Sequence, residues 1–211
     1  MAFLAVLLVT TPCFAALSLS FDRATDRYTR RWAPEVGVAW LVSNPLREIL
    51  RGEINIDSGI RGGNIYILSA SYLIGELELG IGERTFRPQI ELPLTLEVFD
   101  EHERSPFLSY NVAIQGRWVD FPWNDTVRTT IAMGVGPSYS EKIPRMEYKR
   151  GLSNKHKKRT HLKFTVPLDV TLAHPSAPQH QLVLFVAHQS GGPLSGGGLN
   201  AIGIGYRWGF Q

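Results

Sequence analysis

From residue 35 onward, apolar side chains recur at every second position rather than every third or fourth. That period belongs to extended chain, where successive side chains point to opposite faces. Eight such segments are legible, roughly 35–42, 64–74, 88–99, 106–119, 126–139, 160–173, 180–190 and 199–210. Most are near or above the roughly 9–11 residues that a tilted strand needs to cross a bilayer. The chain reads as all-β, and its 20 glycines suit strands and tight turns better than helices.

The two faces differ sharply. In 88–99, Ile90, Leu92, Leu94, Leu96 and Val98 alternate with Glu91, Pro93, Thr95 and Glu97. In 106–119, Leu108, Tyr110, Val112, Ile114 and Trp118 alternate with Ser109, Asn111, Ala113, Gln115 and Arg117. In 160–173, Leu162, Phe164, Val166, Leu168 and Val170 oppose Lys163, Thr165, Asp169 and Thr171. Period alone leaves two barrels open. A soluble, lipocalin-like barrel puts the apolar face inside, whereas a membrane barrel puts it in lipid and the charges inside. The length of the strands and the polar face favour the membrane. That face mixes small residues with a few opposite charges (Glu91, Glu97, Arg117, Arg128, Lys163, Asp169, Arg207), too sparse for a solvated surface. Eight strands enclose a space that side chains just fill. The expectation is an eight-stranded antiparallel transmembrane β-barrel with a side-chain-filled interior. A hydrophobic content of 44% and a mean hydropathy of −0.07 look soluble in bulk, but only alternate residues of such a barrel face lipid.

The N-terminus points the same way. Phe3–Val9 is a short apolar run, followed by small residues at Cys13 and Ala15 where a signal would be cleaved. The expected division is a signal peptide over 1–15, an N-terminal segment over 16–34 and the barrel over 35–211. The single cysteine, Cys13, would leave with the signal, which removes disulfides, thiolate metal sites and a cysteine nucleophile from the mature chain. Trp40, Tyr72, Tyr110, Trp118, Trp123, Tyr139, Tyr206 and Trp208 fall mostly near strand ends, as an interfacial girdle would. With the mature N-terminus in the periplasm, 121–125 and 174–179 are short periplasmic turns. Segments 43–63, 140–159 and 191–198 are then the longer outer loops. The linker over 75–87 is longer than this register needs.

Two groups of residues could carry chemistry. Lys142, Arg145, Lys149, Arg150, Lys155, Lys157, Lys158 and Arg159 crowd one loop that the topology puts at the outer leaflet. Of these, Lys149, Arg150, Lys155, Lys157, Lys158 and Arg159 are the candidate contacts to lipid phosphates. That compartment argues against nucleic acid as the partner. The second group is His188 and Ser190, which share parity with Leu182, Leu184 and Val186 at the end of an apolar face. A histidine within reach of a serine can take its proton and make a nucleophile. Asn200, near the start of the antiparallel last strand and in phase with Ile202, could orient the imidazole through its side-chain carbonyl. His156, His161, His174 and His180 show no metal-ligand spacing, and Gly196–Gly198 lacks the strand-to-helix context of a phosphate loop. No metal or cofactor is expected.

A His-x-Ser strand, a Gly-rich loop and a terminal aromatic strand resemble the outer-membrane lipid A 3-O-deacylases, the acyloxyacyl-hydrolase-like barrels. Phe121-Pro-Trp-Asn124, Gly134-Val-Gly136-Pro-Ser-Tyr139 and His188-Gln-Ser190-Gly191-Gly192 are similar to segments grouped with that family. The resemblance covers roughly 106–210 in sequence and the first half by architecture. It implies a carboxylic ester hydrolase of the cell outer membrane that removes an acyl chain from lipid A in lipopolysaccharide. His188 would be the base and Ser190 the nucleophile. Where the family has a glutamate, this chain has Asn200. Where the family has an oxyanion-supporting asparagine, this chain has Gly191, and the N–H groups of Gly191 and Gly192 are the substitute donors. The alternative is a non-catalytic structural or lipid-binding barrel of the outer membrane.

Overall fold

The computed structural model describes residues 15–20, 29–81, 84–150, 159–191 and 197–210. Residues 1–14 of the expected signal, together with Lys155, Lys157, Lys158 and Gly192, lie outside them.

Eleven strands are described: β1 (Ala15–Ser20), β2 (Trp32–Val42), β3 (Gly63–Ile81), β4 (Arg84–Phe86), β5 (Gln89–Glu101), β6 (Phe107–Val112), β7 (Ile114–Trp118), β8 (Arg128–Ser140), β9 (Leu162–Ala173), β10 (His180–Ser190) and β11 (Gly198–Trp208). All pairings are antiparallel. From β2 the sheet runs through β11, β10, β9, β8 and β6–β7 to β5, and the β5–β3 and β3–β2 ladders close it. β6 and β7 form one barrel strand broken at Ala113. Ala113 N–H donates to the Pro93 carbonyl at 3.2 Å, and Pro93 has no N–H to return. Counting that pair as one gives eight barrel strands.

Two expected boundaries move. β2 begins at Trp32, three residues before the first expected strand. The stretch expected as a linker over 75–87 is strand for most of its length: β3 continues to Ile81 beyond a register shift at Leu73–Gly75, pairs with β1, and turns back into β4. Alternation persists there, with Leu77, Leu79 and Ile81 against Glu76, Glu78 and Gly80, but its phase switches from even to odd positions across the register shift.

Burial shows which face is which. On β7–β8, Ile114 and Met133 are 61% and 64% exposed, and Val135 is exposed beside them. Their neighbours Gln115, Arg117 and Ala132 are buried. The same inversion runs around the barrel: Leu68, Leu94, Leu184 and Ile204 face out, while Ser69, Thr165, Thr171 and Arg207 are buried. An apolar outside around a polar inside is stable only where the surroundings are lipid. The period-two faces of the sequence are therefore those of a membrane barrel, not a lipocalin-like one.

The interior has two layers. Arg117 bridges Glu91 (2.8 Å) and Asp169 (2.6 Å), and Arg207 reaches the other side of Glu91 (3.0 Å). Gln115 and Thr130 complete the set, at 2.7 Å from Asp169 and 2.8 Å from Arg117. One cluster thus ties β5, β7, β8, β9 and β11. Towards the end with the longer loops, Leu41, Ile65, Phe99, Phe107 and Leu199 form a small apolar core. Helix α1 (Leu46–Ile49) lies in the β2–β3 loop, and α2 (Arg145–Arg150) lies in the β8–β9 loop. Met146 of α2 enters the apolar core, and the adjacent Glu147 pairs with Lys163 in full burial. Gly203 is required opposite Phe185, because any Cβ there would run into the ring inside the barrel.

Candidate active site

β10 and β11 are in register so that His188 faces Asn200 and Ser190 faces Gly198. On its other side β10 sets His188 beside Val166 and Ser190 beside Phe164 of β9. His188, Ser190 and Asn200 all have the outward parity of Leu184 and Ile204. They sit at the long-loop end of the wall, not in the barrel interior.

The imidazole is held by one short bond. Nδ1 of His188 lies 2.5 Å from Oδ1 of Asn200. The amide nitrogen of Asn200 donates to the backbone carbonyl of Asn44 at 2.6 Å. A backbone carbonyl accepts only, so the Asn200 atom facing it is the nitrogen and the atom facing His188 is the oxygen. That oxygen also only accepts, so Nδ1 carries the proton and Nε2 is left as the free basic nitrogen. Ser190 lies two residues along the same strand face and is half-buried, roughly 7 Å away at Cα by strand geometry.

The arrangement is covered by a segment to which neither period nor motif pointed. Asn200 has outward parity yet is 0% exposed. The chain leaving β2 after Val42, which pairs with Asn200, folds over it. Asn44 is fixed in turn: its side chain donates to Glu48 of α1 at 3.1 Å and accepts from Asn55 N–H at 2.6 Å. Asn44 and Glu48 lie in a non-periodic loop, 156 residues from Asn200 in the case of Asn44, so neither period nor motif pointed to them.

The donors expected for an oxyanion fare differently. Gly191 N–H is used within the hairpin, donating to the Gly197 carbonyl at 3.0 Å. That bond occupies the N–H expected to serve an oxyanion; Gly192 is outside the described residues. Gly197 has a φ of +126°, which glycine adopts without strain.

The basic loop is only partly described. Lys142 donates to Ser105, at 2.8 Å to the hydroxyl. Arg145 donates to the carbonyls of His102 (2.7 Å) and Glu103 (3.2 Å). These two cations therefore fasten α2 to the turn over 102–106. Lys149 and Arg150 are described only as backbone within α2, and Arg159 is partly buried.

Fold and wall define a closed eight-stranded antiparallel barrel of the lipid-facing kind with a histidine-centred polar cluster on its outer surface. Among solved structures, one titled as the crystal structure of the outer membrane enzyme PagL is similar, with a TM-score of 0.55 and 14% identity. The match covers 83% of this chain and 99% of that one. At that identity the likeness is one of fold. No family model and no curated protein matches the chain.

Proposed function

We propose that this protein is an outer-membrane ester hydrolase that removes an acyl chain from lipid A. The observation that carries the reading is the His188–Asn200 hydrogen bond, which frees Nε2 on a lipid-facing wall two residues from Ser190. In the proposed reaction Nε2 takes the Ser190 proton as Oγ attacks the ester carbonyl. The C–O bond to the sugar breaks, the imidazolium returns the proton to the departing alkoxide, and water then hydrolyses the acyl-serine by the same route. Phe164, Val166 and Leu168 of β9 share this outward face and give an acyl chain an apolar surface. The lysines and arginines of the β8–β9 loop would meet the lipid phosphates, with Lys149, Arg150, Lys155, Lys157, Lys158 and Arg159 as candidates. Localisation in the outer membrane after signal removal belongs to the same proposal.

The test is release of a 3-hydroxy fatty acid from lipopolysaccharide by detergent-purified protein. Wild type should release it and Ser190→Ala should not. Equal release from both, or none from either, overturns the enzyme. A non-catalytic lipid-binding barrel is favoured by one observation, the engagement of Gly191 N–H within the hairpin. It predicts that neither His188→Ala nor Ser190→Ala changes anything beyond stability.

A further inference from the structure

The β2–β3 loop meets the histidine site through a single amide, and the chemistry of that amide gives the loop a task. A carboxylate beside His188 would present an acceptor from either oxygen. Asn200 is two-sided: flipped by a half-turn, it would offer His188 a donor. Nδ1 would then have to accept, the proton would move to Nε2, and the base would be lost. What prevents the flip is the Asn44 carbonyl, which can hold only the nitrogen side at 2.6 Å. That carbonyl is held in place by the two bonds to its own side chain, from Asn55 N–H and to the Glu48 carboxylate.

We infer that Asn44 and Glu48 are positioning residues, which lock the Asn200 amide and thereby set the His188 tautomer according to whether the β2–β3 loop is seated. Seating makes Nε2 basic, and lifting the loop releases the amide. The loop is therefore a gate on the base as well as a cover. Its consequence for catalysis rests on the ester-hydrolase reading, but the tautomer itself does not.

The experiment is 15N NMR of the imidazole rings in detergent-refolded full-length protein, with the six histidines resolved by difference against His188→Gln. Wild type should show His188 with its proton on Nδ1 and not on Nε2, against the preference of an unrestrained side chain. Asn44→Ala and Glu48→Ala should move the tautomer ratio towards Nε2–H by about fivefold, the size of one net hydrogen bond. Glu48→Gln keeps an acceptor for Asn44 and should restore the wild-type ratio. Glu53→Ala, in the same loop but outside the chain of bonds, should leave it unchanged. Heat-modifiable gel mobility checks that each barrel is folded. An Nδ1–H signal that survives both alanine variants, or a wild type already on Nε2–H, overturns the inference. Acyl release that depends on Ser190 while the ratio ignores Asn44 and Glu48 sinks the gate and leaves the enzyme standing. A shifted ratio with no acyl release does the reverse.

Discussion

Strand β11 contributes Arg207 to one polar network and Asn200 to another, and the two are built on different physics. Arg207 points inward to both carboxylate oxygens of Glu91, which it shares with Arg117, and Arg117 also holds Asp169. Each ion there has at least one charged partner, and the cluster crosses five strands. Asn200 points outward to a single histidine and a single carbonyl, with no charge in either bond. Charged, shared bonds in a closed space are hard to rearrange, and losing one partner strands the others. Neutral bonds at a loop are worth about 1 kcal/mol each and can be made and broken. The contrast separates what holds the barrel from what can act at its surface.

The comparison can be broken first at Ser190. On the proposed mechanism Ser190→Ala should lower acyl release by at least about a thousandfold with barrel stability unchanged, measured as fatty acid released alongside a urea unfolding curve. If stability falls instead, the rim is structural like the interior. Next is Glu91→Ala, which leaves two buried guanidinium groups without their shared partner. A loss of about 3–5 kcal/mol is expected, read as an earlier unfolding midpoint by tryptophan fluorescence in lipid or detergent. Acyl release per folded molecule should not change.

Met133→Arg sharpens the outer side of the contrast. Placed mid-strand on the exposed apolar face, it should cost about 2–4 kcal/mol in bilayers if the residue lies near the midplane. The same substitution should cost little in a water-facing barrel, so refolding in vesicles distinguishes the two surroundings. The smallest effect expected is at Glu48→Ala, a loss of about fivefold in acyl release. Glu48→Gln should recover it, and unfolding midpoints should stay within error for both.

Much of the barrel was legible because lipid and interior impose the same strict alternation on every wall strand. Tyr110, Ile114 and Leu162 against Asn111, Gln115 and Lys163 carry that signal in the bare sequence. The signal fails where the register shift at Leu73–Gly75 switches its phase, and so the end of β3 read as a linker. It also cannot say whether Ala113 pairs normally, because the missing donor belongs to Pro93 on another strand. At the site, parity put His188, Ser190 and Asn200 on one outward face, and the antiparallel order of the last two strands made their meeting foreseeable.

The sequence by itself determined the alternation, the number of wall strands, the short turns at one end and the placing of a histidine and a serine on the apolar face. All of these follow from local period and spacing. Only the tertiary structure decided that Glu91, Arg117, Asp169 and Arg207 meet, since register across five strands is not written in any one of them. Only it could bring the Asn44 carbonyl onto Asn200 and bury an amide of outward parity. Loop closure depends on contacts between residues far apart in the chain, and no periodic pattern records them.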